Sequence, residues 1–135
     1  MSRSEELVDA EYVEEGKGYE SISRDALQDR RLSYKARGVM AYLKSKPPKW
    51  RTSTQAIAGD SDKDGYDAVN AGIKELETLG YFARLKRQGE RGRWQWLWIY
   101  SDSPAAVAKR VARWEAEHGP SAPRSGPQTA APPKT

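Results

Sequence analysis

Residues 94–100 read Trp-Gln-Trp-Leu-Trp-Ile-Tyr, and this heptapeptide constrains the fold more than any other part of the chain. Successive side chains of a strand point to opposite faces. Trp94, Trp96, Trp98 and Tyr100 therefore share one face, and Gln95, Leu97 and Ile99 share the other. Both faces are apolar, so the strand needs cover on each side. The stretch from Tyr81 to Arg87 is also strand-like, and Gln88 to Arg93 between the two contains two glycines. A β-hairpin is the expected product. A lone hairpin is at best marginal in water, so helices must pack against it. Trp96 and Trp98 are expected in that core, with Trp94, nearest the hairpin tip, as the exception.

The helices are read from apolar spacing. Ser33 is an expected N-cap, because its hydroxyl can accept from free amide groups at a helix start. Ala36, Val39, Met40 and Leu43 follow on one apolar face until Pro47-Pro48 stops the helix. Trp50 is expected to plug the core beneath this turn. A short second helix is expected from Ser53 or Thr54 to Ala58. A third is expected from Gly65 to Leu79, with Tyr66, Val69, Ile73, Leu76 and Leu79 facing inward and Gly80 closing its end. Ser103-Pro104 marks a further helix start. Val107, Val111 and Trp114 form its narrow apolar stripe, which fits either the body of the domain or the same helix of a second chain. Asp25 to Asp29 is expected to form a helical turn, and Tyr19 to Ser23 a short strand anchored by Ile22.

Charge divides the chain. Residues 1–20 hold seven acids and two bases, net −5, whereas residues 21–103 hold sixteen bases and ten acids, net +6. Residues 1–18 are read as an acidic, flexible arm that ends in Gly16-Lys17-Gly18, and residues 120–135, rich in Pro, Ser and Ala, as a disordered tail. The basic middle points to a polyanionic partner. With no cysteine, disulfides, thiolate metal sites and a cysteine nucleophile are excluded. No apolar run is long enough to span a bilayer, and Met1 to Glu20 carries no secretory signal pattern, so the expected location is the cytoplasm.

Arg84, Lys86, Arg87, Arg91 and Arg93 fall within ten residues around the hairpin loop, opposed only by Glu90. Cations on such a loop can reach phosphates and release counterions. On the third helix, Lys63, Tyr66, Asn70 and Lys74 are the candidates to face DNA, asparagine being able to pair in two-pronged fashion with adenine. Asp60, Asp62, Asp64 and Asp67 crowd the same helix entrance, where carboxylates repel phosphates but stabilise the helix dipole. Asp60-x-Asp62-x-Asp64-Gly65 also matches the first half of a calcium loop, but the position of the closing glutamate is Ala71. No metal site, cofactor or catalytic residue is therefore assigned, the single histidine, His118, having no apparent partner, and the chain is read as a non-enzyme.

The order strand, helix, helix, turn, helix, hairpin is that of a winged helix. The stretches Leu32-Ser33-Tyr34-Lys35-Ala36-Arg37-Gly38 through Ala41-Tyr42-Leu43, and Val69-x3-Ile73-x-Glu75-Leu76-Glu77-x-Leu79-Gly80-Tyr81 with its basic strand, add to this. Over residues 20–102 the chain resembles the winged-helix domains of actinobacterial and phage regulators and replication-initiator-like proteins. The expected fold class is α+β. A three-helix helix-turn-helix core and a hairpin wing occupy residues 19–102, an added amphipathic helix residues 103–119, and the termini are disordered. The resemblance implies binding of double-stranded DNA, as a transcriptional regulator or a replication or phage accessory factor. The third helix would lie in the major groove and the wing on the flanking backbone. A homodimer through the C-terminal helix is a further expectation. The alternative is a winged-helix protein-interaction adaptor whose acidic third helix docks a basic partner.

Overall fold

The structure, a computed structural model, describes residues 7–13 and 22–121. The elements in order are β1 (Val8–Tyr12), α1 (Arg24–Leu27), α2 (Tyr34–Lys44), β2 (Lys49–Thr52), α3 (Thr54–Gly59), α4 (Tyr66–Thr78), β3 (Phe82–Gln88), β4 (Trp94–Tyr100) and α5 (Pro104–His118). The mixed α+β class agrees with the sequence, and so do the hairpin and the helix boundaries to within a residue or two.

The helix starts are locally encoded. Ser23, Ser33, Ser53 and Ser103 each cap a helix, their hydroxyls accepting from the backbone N–H of Ala26, Ala36, Ala56 and Ala106 at 3.4, 3.0, 3.0 and 3.2 Å. Each such cap is worth about 1 kcal/mol. Ser33 does more, since its N–H and hydroxyl both donate to the Glu75 carboxylate of α4, at 2.8 and 2.7 Å. These two donors hold the Glu75 carboxyl below its usual range. At its far end α4 closes with Gly80 N–H to Glu77 O and Tyr81 N–H to Leu76 O, at 3.1 and 2.9 Å. That pattern places Gly80 at φ 89°, where glycine alone is unstrained. The α2 and α4 backbones come close at Gly72, where a Cβ would lie 3.1 Å from Val39 Cγ2.

The sheet order is β2-β1-β4-β3. β1 runs antiparallel to β2 and parallel to β4, and β3 and β4 form the expected hairpin, from Phe82 opposite Tyr100 to Gln88 opposite Trp94. One sheet face carries Ala10, Phe82, Trp98 and Tyr100 into the main core with Val39, Leu43, Ile73 and Leu76. The other face presents Leu85 and Ile99 to Val107 and Trp114 of α5. Cover on both sides of β4 is thus supplied, and Trp98, Ile99 and Tyr100 are buried.

One expectation needs correction. Val8 to Tyr12 lie within the arm read as flexible, yet they form an interior strand. Their alternation puts Ala10 in the core, and Asp9 and Glu11 on the opposite face. Asp9 meets Arg51 at 3.5 Å, and Glu11 meets Arg110 of α5 at 2.9 Å. These two acids of the arm answer the chain's own bases. Trp50 packs against the core as expected, but from a strand, β2, that the sequence reading did not place, and its indole N–H donates to Tyr100 Oη at 2.7 Å. The α5 stripe, which by sequence fits either the body of the domain or a second chain, lies against this chain's own sheet, with Val107 and Trp114 about 5% exposed or less. The expected strand at 19–23 falls partly outside the described residues, and Ile22 and Ser23 are not in a strand. The tail from 122 onward also lies outside them. Ser121 sits on the free edge of β3, its Oγ accepting from Lys86 N–H at 3.0 Å. Among the described residues no helix is long and apolar enough to cross a membrane.

Candidate nucleic-acid interface

α4 and the β3–β4 hairpin border one open depression of about 810 Å³. Tyr66, Asn70 and Lys74 line it from α4, a set that recurs every four residues along one helix face. Arg84 and Arg87 line it from β3, and Trp94, Gln95 and Trp96 from β4. Three of the four helix residues expected to face DNA therefore meet two of the five wing residues. Lys63 is exposed in the turn before α4, where its N–H donates to Ser61 Oγ at 3.0 Å, and it does not line the depression.

The five wing cations divide into two groups. Arg84 is held by a two-pronged pair with Glu77 at 2.7 and 3.0 Å, and lies 5.8 Å from the centre of the Trp98 ring. Lys86 is 5% exposed, its Nζ lying 4.4 Å from the Trp94 ring centre and 5.1 Å from that of Trp96. These two support the hairpin. Arg87 is half-buried and donates to Gln95 Oε1 at 3.0 Å. Arg91 and Arg93 are exposed at the tip, Arg91 in left-handed backbone at φ 63°. The sequence reading grouped all five around the hairpin loop as phosphate contacts. In fact the strand register turns Lys86 toward the tryptophans, and α4 carries Glu77 to Arg84.

Arg51 and Arg110 also line the depression, which sequence reasoning missed. β2 is a strand that the sequence reading did not place, and the side of α5 that carries Arg110 had no assigned partner there. The alternation Lys49-Trp50-Arg51-Thr52 was the available signal. Each is paired to a β1 acid and Arg84 to Glu77, so Lys74 and Arg87 are the lining cations with no ion pair to a described residue. Trp96, expected in the core, is half-buried, whereas Trp94 is 50% exposed.

The acids at the α4 entrance are not gathered into one site. The Asp60 carboxylate accepts from the Tyr42 hydroxyl and lies 3.8 Å from Lys46 Nζ. Asp62, Asp64 and Asp67 are exposed. Among the described residues no cluster of three or more His, Asp or Glu could hold a metal ion. His118 Nδ1 lies 3.1 Å from Trp114 O, with the two rings 5.0 Å apart.

No family model matches the chain, and neither a curated protein nor a solved structure matches it.

Proposed function

We propose that this protein binds double-stranded DNA, with α4 as the reading helix and the β3–β4 hairpin as a wing. The observation that carries the reading is the shared depression. Tyr66, Asn70 and Lys74 lie on one helix face, opposite a hairpin that ends in Arg91 and Arg93. The run α2-β2-α3-α4-β3-β4 also has the element order of a winged helix. Asparagine and lysine on a helix face suit base edges in the major groove. Exposed arginines beside it suit phosphates. A role as regulator or as replication accessory factor fits this equally. Lys63, Lys74, Arg87, Arg91 and Arg93 are the cations left for DNA. If all five neutralise phosphates, log affinity falls against log salt with a slope of about −4.5. The test is a salt titration of binding to random-sequence duplex. A measurable slope near this value supports the reading, and no binding at low salt defeats it.

The adaptor reading draws on a different surface. A groove of about 290 Å³ between α2, α3 and α4 is lined by Tyr34, Tyr42, Val39, Ile57, Asp60 and Asp64, and Tyr34 is 85% exposed. Its acids suit a basic partner. The same titration separates the two readings, because an adaptor leaves random duplex unbound.

A further inference from the structure

We propose that Trp94 is a stacking platform for one unpaired nucleobase, so that the protein prefers DNA with a locally opened pair to uniform duplex. This deepens the DNA-binding reading and rests on it. The first observation is the exposure of Trp94. The indole is half open to solvent in a sheet whose other large aromatics are wholly or partly buried. It is also held in place, for Lys86 stands over both Trp94 and Trp96 at 4.4 and 5.1 Å. Lys86 is 5% exposed and its backbone N–H is tied to Ser121. A cation desolvated against two indoles fixes their rings at little further entropic cost. The platform is thus built before any ligand arrives.

The second observation is what surrounds it. Trp94 and Trp96 line the same depression as Lys74 and Asn70, and Arg87 borders it from the opposite face of the hairpin, paired with Gln95. Asn70 is half-buried, and its side chain makes no hydrogen bond to a described residue. An aromatic face, an uncommitted amide and nearby cations are the three groups that recognise an unstacked nucleotide, through its ring, its edge and its phosphate. Intact duplex has no use for the first, since its base faces are covered by their neighbours and only the edges meet the grooves. Opening a pair costs least where the base is already unpaired, and that difference creates the selectivity.

The test measures binding of the full chain to three labelled probes of one sequence: a perfect duplex, the same duplex with a single unpaired thymine, and the single strand. Stacking of one base on an aromatic ring is worth roughly a factor of ten or more in affinity. The wild type is expected to bind the bulged duplex about tenfold tighter than the perfect one. Trp94→Ala is expected to lose this preference, so that it binds the bulged and the perfect duplex with equal affinity. Trp94→Phe, which retains a stacking face, is expected to keep most of the preference and serves as the check that the hairpin still folds. Equal affinity of the wild type for both duplexes overturns the proposal and leaves the duplex reading standing. A preference that survives Trp94→Ala also overturns it. Binding of the single strand alone sinks the duplex reading but not the platform, and binding to none of the probes sinks both.

Discussion

At Asp29 a single side chain joins three parts of the chain. Its carboxylate accepts from the backbone N–H, Nε and Nη2 of Arg31, and from the hydroxyl of Tyr81 at 2.8 Å. Its carbonyl accepts from Arg37 Nη2 at 2.7 Å. The Arg31 hydrogen bonds hold the carboxyl well below the ordinary aspartate range. In turn, the Tyr81 hydroxyl is pushed up to about 12, by burial first and by Asp29 second. A depressed carboxyl stabilises the fold at pH values above its unfolded pKa, about 4, and this contribution fades as the pH falls toward the folded value. Asp29→Asn should therefore lower the urea midpoint at neutral pH, with the gap to wild type closing below about pH 4. A gap that stays constant across the acid range would show that the ionised pair contributes nothing. None of this was legible in the sequence, where Asp29 closed a helical turn. The contact with Tyr81 spans 52 residues, and no local pattern encodes it.

Among the elements, the hairpin shows how far local pattern reaches. Alternation alone located β4, because every side chain in a strand has its face fixed by parity. The division of labour among the wing cations needed more. Arg84 and Lys86 look equivalent to Arg91 and Arg93 as sequence, yet each is held by a group from across the fold or from the opposite strand. Arg91 and Arg93 are thus the residues to vary. Arg91→Gly suits the left-handed backbone, and relief of that strain, about 1 kcal/mol, offsets the added freedom of the unfolded chain. Arg91→Gly with Arg93→Ala should leave the thermal midpoint nearly unchanged. Affinity should fall alike for all duplex sequences, and the salt slope should shrink by about one to two units. An unchanged slope would remove the tip from the interface. A larger loss on one sequence than on another would make it a reader of bases.

Over the whole molecule, the N-terminal strand carries the largest consequence. β1 is the only described contact between β2 and the β3–β4 hairpin within the sheet. Its Tyr12 hydroxyl donates to Asp102 at 2.9 Å, and Glu11 holds α5 through Arg110. Removal of residues 1–13 takes away an interior strand, the buried Ala10 and two ion pairs together. The loss should match that of a large core deletion, about 3–5 kcal/mol, read from urea unfolding followed by tryptophan fluorescence. A truncated chain with the wild-type midpoint would restore the picture of a solvated arm. The sequence by itself determined the elements whose signals are local: the helix starts at Ser33, Ser53 and Ser103, the stop at Pro47-Pro48, the glycine at the end of α4, and the parity of β4. Each follows from groups within a few residues of one another. Only the tertiary structure decided what β1 is, since a short charged strand gains its stability from partners some 40 and 90 residues away. It also decided which cations stay free for a ligand, because a charge is neutralised by whatever the fold brings within a few ångströms, and sequence separation sets no bound on that distance.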